Sequence, residues 1–367
     1  MNDGGGSQWD LVIVGASFAG VACALAAREA GLRVCVLERK RDPGIKLHTT
    51  GIIVCEAAQT GLLSRIPSQL VHRVPGVRLY SPDLRSIALR SAGDYFLTTD
   101  TPELMRWLAA QLIGQGVDLR LMQSFTDAER VGESWRVHGL GTTRFLVGAD
   151  GAKSRVAMRI GLGRTREFLY GVEHEFHGAQ LREPDALHCF ITRRLAPGYI
   201  GWATQNPTGV QFGLAFRHRP DRTGVPDIDG LFQRVAPLLG LDARRPDATR
   251  AGLIPCGGPV LPLAAPGVIL TGDAAGIVSP VTAGGIHSAW KHGDAVGRAI
   301  AAHLLHDGPS PEREAERAAP RFRTKRLLRT AFDRLQMDWP FDLLLRTPML
   351  RWMASRIYFS RGRDTSG

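Results

Sequence analysis

The segment from residue 9 to residue 38 constrains this chain most. Trp9-Asp10-Leu11-Val12-Ile13-Val14 is an apolar run of the kind expected of a strand buried on both faces. Gly15-Ala16-Ser17-Phe18-Ala19-Gly20 follows, then a helical stretch from Val21 to Ala30 that ends at Gly31, where a glycine suits the position after a helix. Leu32-Arg33-Val34-Cys35-Val36-Leu37 reads as a second strand, closed by Glu38. A β-α-β unit with this spacing matches the dinucleotide-binding pattern, with Ser17 in place of the second glycine. Gly15 permits the tight turn, a small residue at 17 lets the backbone approach a pyrophosphate, and Gly20 lets helix meet strand. The helix start offers unpaired N–H groups and partial positive charge to phosphates, while Glu38 stands where a ribose diol would donate to it.

Two later segments share this logic. Phe145-Leu146-Val147-Gly148-Ala149-Asp150-Gly151 is an apolar strand delivering an acid into a turn. Val268-Ile269-Leu270-Thr271-Gly272-Asp273-Ala274-Ala275-Gly276 does the same near the far end. Ser279 to Ile286 then lead into a helix expected over about 286–305, with Ala289, Ala295, Val296 and Ile300 on its apolar side. In open α/β sheets, ligands sit at the carboxyl ends of strands, where these acids lie. Residues 40–75 read as loop with short helical pieces at 49–54 and 68–70. Thr101-Pro102 opens a helix to Ile113, the threonine serving as cap. Short β-like runs dominate from about 166 to 252, as expected of a separate sheet domain, with a helix over 228–239.

Composition narrows the class. Gly numbers 42 but has no period, which excludes a collagen-like chain. No window approaches roughly 18 uncharged apolar residues, so no spanning helix is expected. The first residues lack the cationic and apolar regions of a secretory signal, and five cysteines without C-x-x-C spacing suggest reduced thiols in a cytoplasmic setting. Cys23 and Cys35 read as small buried hydrophobes. The formal charge of +11 is concentrated late: residues 321–363 hold eleven basic side chains against Asp333, Asp338 and Asp342. No nucleic-acid motif accompanies that charge.

With Gly15-x-Ser17-x-x-Gly20, Gly148-Ala149-Asp150-Gly151 and Gly272-Asp273-Ala274-Ala275-Gly276 in this order, the chain resembles the FAD-dependent oxidoreductases of the para-hydroxybenzoate hydroxylase superfamily. The stretch Gly272 to Ile286 is most similar to the geranylgeranyl reductase branch. The resemblance implies an α/β fold: a Rossmann-type (GR2) FAD-binding domain over 1–75, 96–165 and 253–310, with an inserted antiparallel substrate domain over 76–95 and 166–252. A helical segment over 311–367 would follow. It also implies FAD contacts at Gly15, Ala16, Ser17, Phe18, Ala19 and Gly20 for the pyrophosphate, and at Glu38 and Arg39 for the adenosine side. Asp150 would belong to the loop that serves FAD and, in relatives, a passing nicotinamide; Gly272 and Asp273 would serve the ribityl chain, and Pro280, Gly284, Gly285 and Ile286 the ring. The implied reaction is NAD(P)H-driven reduction of a carbon–carbon double bond in an apolar, isoprenoid-like substrate, with NAD(P)H binding transiently. Monooxygenation and a redox-neutral cyclisation or isomerisation are the alternatives.

The departures fall on the substrate side. Where the branch carries Cys-Gly-Gly, this chain has Thr49-Thr50-Gly51; an arginine expected before the helix at Thr101 is absent until Arg106. A Tyr-x-Trp-x-Phe-Pro motif is reduced to Trp202, with Tyr199 adjacent. Tyr199 and Trp202 are candidates to line an apolar substrate channel, against plain core packing. Alternation puts Glu173, Glu175 and His177 on one strand face, read as solvated rather than metal-binding. His287 is a weak candidate proton donor, and no metal site is expected. The arginine- and leucine-rich residues 311–360 read as an amphipathic tail packed on the body, with contact to an anionic membrane as an addition.

Overall fold

The computed structural model describes residues 7–91, 93–218, 227–241, 245–334 and 347. Contacts divide the chain into two units: Met1–Ile45, Pro102–Glu167 and Ile254–Arg326 form the first, and Lys46–Thr101, Phe168–Leu253 and Leu327–Gly367 the second.

The first unit is built on a sheet with Ser7–Val14 at its centre. Gly141–Gly148 and Val34–Leu37 flank it in parallel. Val268–Leu270 lies beyond the former and Asp118–Arg120 beyond the latter, also parallel. Leu11, Val12 and Ile13 have no exposure, which accounts for the uninterrupted apolar run: neither face of this strand is wet. The Ser134–Val137 strand pairs antiparallel with Gly141–Gly148, and Ala128–Val131 with Ser134–Val137. The helix Phe18–Glu29 follows the central strand, and Ile286–His306 lies against it. Gly293 and Gly297 permit that approach, because a Cβ on either would stand 2.2 Å from the Ala19 carbonyl oxygen or 2.3 Å from that of Cys23.

The second unit contains a seven-stranded sheet in the order Ala248–Pro255, Phe168–His177, Gly209–His218, Ile200–Asn206, Ala186–Ile191, Gly76–Tyr80, Ser86–Arg90. Neighbours from Phe168–His177 to Ala186–Ile191 run antiparallel, whereas Ala186–Ile191 meets Gly76–Tyr80 in parallel. One face carries Val210, Phe212 and Leu214 against Leu231, Phe232 and Val235 of the helix Ile228–Leu239. Residues 46–75 and 96–101, placed with the first unit on sequence grounds, pack here instead. Ile53–Val54, Phe96–Thr99 and Val71–Val74 form a three-stranded sheet whose apolar side joins Leu187 and Cys189. Residues 49–54 therefore end in a short strand rather than a helical piece. Thr101 is the first residue of its helix, and its hydroxyl donates to the Thr50 carbonyl rather than capping.

All five cysteines are free and buried, and burial pushes the Cys35 thiol up to about 12. Among the described residues no helix is long and apolar enough to cross a membrane. Most of the basic tail, residues 335–367 apart from Thr347, lies outside the described residues.

Candidate functional site

Three turns meet at the carboxyl ends of adjacent parallel strands in the first unit. Gly15 adopts φ +104°, and a Cβ there would lie 2.5 Å from the Ala149 carbonyl oxygen, so the first turn rests on the backbone of the second. At Gly20 the constraint is space, since a Cβ would stand 2.0 Å from the Gly15 oxygen. Ser17 caps the helix, its Oγ accepting from the Gly20 amide at 3.3 Å and donating to the Ala149 carbonyl at 3.1 Å. The serine thus ties first turn to second, a bond glycine would not supply. The third turn arrives through Gly272, where a Cβ would be 2.9 Å from that of Ala19.

The acids at these strand ends are used differently. Glu38 is buried, and both its oxygens are occupied: Oε2 accepts from the Ala16 amide at 3.1 Å and Oε1 from the Lys40 amide at 2.9 Å. Arg39 beside it is exposed. Asp150 accepts from Ser154 Oγ at 2.6 Å and from the amides of Arg155 and Val156, anchoring the start of the helix Arg155–Ile160. Asp273 is half-buried, and its carboxylate accepts nothing among the described residues. Burial pushes that carboxyl up to about 6.

Behind Asp273 stands a residue that the sequence reading missed. His292 is buried; its Nδ1 accepts from the Thr271 hydroxyl at 2.9 Å, while Nε2–H donates to the Ala315 carbonyl at 2.9 Å. Burial pushes it down to about 4, so the ring is neutral and this tautomer is the one both bonds require. A histidine inside the Ala289–Val296 apolar stripe was the signal available. Farther on, Pro280 is buried, Gly284 exposed, and Gly285 starts the helix Ile286–His306 with no side-chain cap. His287 is half-buried in its first turn.

In the second unit, Trp202 is half-buried, packed beside the Leu187 and Cys189 cluster, its ring lying over Gly213. Its Nε1 donates to Glu173 Oε2 at 3.1 Å, and Thr50 Oγ1 donates to the same oxygen at 2.7 Å. Arg250 Nε lies 3.3 Å from Glu173 Oε1, the guanidinium also pairs with Glu175, and Nη1 donates to the Thr49 carbonyl. The solvated-face expectation is thus corrected: Glu173 is 4% exposed, and only His177 faces water. Alternation sets which residues share a face, not which face is covered. Strand register adds Gln211 opposite Glu175, fully buried with neither amide atom partnered. Arg250 and Gln211 had no sequence signal. Tyr199 is half-buried nearby in sequence.

The first unit fits a dinucleotide such as FAD. Its glycine cradle has no room for a Cβ, a long helix opens without a capping side chain, and Asp273 is an acceptor that the protein leaves unpaired. Residues 8–314 match the family described as FAD binding domain. The chain is 26% identical over 326 residues to digeranylgeranylglycerophospholipid reductase 2 of Methanopyrus kandleri, covering 83% of this chain and 79% of that one. It is 24% identical to digeranylgeranylglycerophospholipid reductase of Methanocaldococcus jannaschii, covering 78% and 75%. Among solved structures, a geranylgeranyl bacteriochlorophyll reductase-like protein from Thermoplasma acidophilum superposes with a TM-score of 0.82 at 16% identity, over 96% of this chain and 97% of that one. The flavin-dependent brominase Bmp2 reaches 0.71 at 18% identity, over 96% and 93%. Both structures share the fold. The chain belongs to the FAD binding domain family, in the geranylgeranyl reductase-like branch of the FAD-dependent oxidoreductases.

Proposed function

We propose that this enzyme reduces carbon–carbon double bonds of an isoprenoid lipid, with NAD(P)H as reductant. The observation that carries the reading is its match, over about four fifths of their length, to reductases named for a digeranylgeranyl lipid. When bound, FAD supplies two-electron hydride chemistry. The chain's own residues hold and polarise it. Amides at the start of the Phe18–Glu29 helix, backed by the Gly15, Ala16, Ser17, Phe18, Ala19 and Gly20 turn, take the pyrophosphate. Glu38, with Arg39 beside it, would face the adenosine side. Its carboxylate already accepts two amides and has lone pairs left for a ribose hydroxyl.

Asp273, after Gly272, accepts from the ribityl hydroxyls, which lowers the cost of its burial. Asp150 acts on this region through the loop it anchors. Pro280, Gly284, Gly285 and Ile286 border the ring, and the uncapped helix start favours negative charge there. His287 is retained as a proton donor at that helix start. In the second unit Glu173 fixes the Trp202 indole and the Thr50 hydroxyl, the two segments on which the substrate-side departures fall, with Tyr199 as a further lining residue. Contact of the arginine-rich carboxyl-terminal residues with an anionic membrane belongs to the same reading.

The overall change is NAD(P)H plus a proton plus the alkene giving NAD(P)⁺ and the alkane unit. Anaerobic incubation of FAD-loaded enzyme with NADPH and a digeranylgeranyl lipid, followed by mass spectrometry, should show two hydrogens gained per double bond. Oxygen-dependent gain of one oxygen atom would assign a monooxygenase instead. Conversion without net NADPH consumption would assign a redox-neutral reaction.

A further inference from the structure

Within the first unit, one surface combines apolar tips with unpaired positive charge. Leu261 is 83% exposed, the most exposed large hydrophobic among the described residues. Its turn is braced from behind. The Gly163 amide donates to the Pro262 carbonyl at 2.8 Å, and a Cβ at Gly163 would stand 2.6 Å from the Leu261 backbone. Gly163 follows the helix Arg155–Ile160, to which it is joined by the Leu162 amide donating to Ala157. That helix presents Met158, half exposed. In the same stretch of chain, 153–167, Lys153, Arg155, Arg159, Arg164 and Arg166 are all exposed, against Glu167. Arg159 has Asp127 at 3.7 Å, whereas Lys153, Arg164 and Arg166 meet no carboxylate among the described residues. On the other side of the turn, the stem of Arg326 lies against Gly258.

We propose that this braced apolar tip and its cationic collar form a docking surface for an anionic lipid bilayer. Leu261 and Met158 enter the boundary between headgroups and acyl chains, and Lys153, Arg164 and Arg166 meet lipid phosphates. Apolar side chains held out to water gain by entering the acyl boundary, and unpaired cations gain from a negative surface. A bilayer supplies negative charge with apolar depth behind it, the two things this surface lacks partners for. A nucleic acid offers phosphates but nothing for Leu261 and Met158 to enter. The proposal stands apart from the reaction assigned above: Leu261, Met158, Arg164 and Arg166 are none of the residues given to the flavin, and Lys153 alone lies in the loop that Asp150 anchors.

The five native cysteines are buried, so a single introduced thiol can be labelled selectively. Full-length FAD-loaded Leu261→Cys, carrying an environment-sensitive dye, is mixed with phosphatidylcholine vesicles with and without phosphatidylglycerol. Ile113→Cys, at a site 62% exposed in the same unit, is the comparison. The expected result is a blue-shifted, brighter signal from position 261 with anionic vesicles alone, and none from position 113. Co-sedimentation of the unlabelled Leu261→Ser, Met158→Ser double variant should fall about tenfold, given the apolar area withdrawn from the bilayer. Arg164→Gln, Arg166→Gln should lose much of its salt dependence. Circular dichroism and flavin content report that each variant is folded. The proposal is overturned if wild type ignores anionic vesicles, if both dye positions respond alike, or if the double variant sediments as wild type does. That last result would move the contact to another segment, such as the basic tail.

Discussion

The turn after the first strand and the turn at Gly272-Asp273 lie at the ends of strands in one sheet, yet they treat their polar groups in opposite ways. In the first, Ser17 caps a helix and bridges to Ala149, and Glu38 is occupied at both oxygens. In the second, Asp273 is half-buried with no donor among the described residues, and its carboxyl rises to about 6. The first turn is self-sufficient architecture that a phosphate can use as found. The second holds an acceptor that no described group answers, at a cost in stability. The second unit shows the contrast again: Glu173, 4% exposed, is held by Thr50, Trp202 and Arg250. Of these acids, Asp273 is the one that accepts from no group among the described residues.

The largest effect expected is at Gly20. Gly20→Val forces a side chain into the Gly15 carbonyl and should weaken FAD binding about 100-fold or abolish folding, read by flavin fluorescence titration beside circular dichroism. Wild-type affinity in that variant would show that the first turn is not the cradle. Next comes Glu173→Leu, which leaves the half-buried Thr50 and Trp202 donors without their acceptor and Arg250 without one of its carboxylates, and should cost about 3 kcal/mol in chemical denaturation. A negligible cost would mean that Glu173 is not structural, and would narrow the contrast with Asp273.

Asp273→Asn tests the contrast directly. Its folded value lies above the ordinary 3.8, so its contribution to the flavin-free protein is complete below that pH and lost as pH rises through about 6. At pH 7 the flavin-free variant should be more stable than wild type by about 2 kcal/mol, while binding FAD about tenfold more weakly. His292 works in the opposite direction. Its folded value of about 4 lies below the ordinary 6.5, so its contribution is complete above pH 6.5 and is lost as pH falls through about 4. The two offset one another in wild type. Acid titration of flavin-free Asp273→Asn should therefore expose a steeper fall in stability below pH 6.5, which His292→Gln removes; parallel titration curves would break the argument. The smallest effect is Ser17→Ala, about 1 kcal/mol, since it loses both the cap and the bond to Ala149; Ser17→Gly restores some of the cap but not that bond.

The fold class was legible because the strand–turn–helix–strand period is local, and so was the helix at Ile286, whose apolar stripe lies within one element. The contacts that organise the sites were not. Thr50 reaches Glu173 across 123 residues and Thr271 reaches His292 across 21, and nothing in either neighbourhood encodes its partner. Residues 49–54 illustrate the same limit: their short strand exists because Phe96–Thr99 lies beside it. The Glu173 face was placed correctly by alternation and given the wrong environment, since period two carries no information about what covers a sheet.

By itself, then, the sequence determined the backbone devices: where the chain must turn without a Cβ, where a helix starts, and which acids stand at strand ends. These are short-range consequences of sterics and hydrogen bonding. Only the tertiary structure decided which of those acids accepts from the protein's own donors and which does not. That depends on donors brought together from distant segments, and on the loss of water around them.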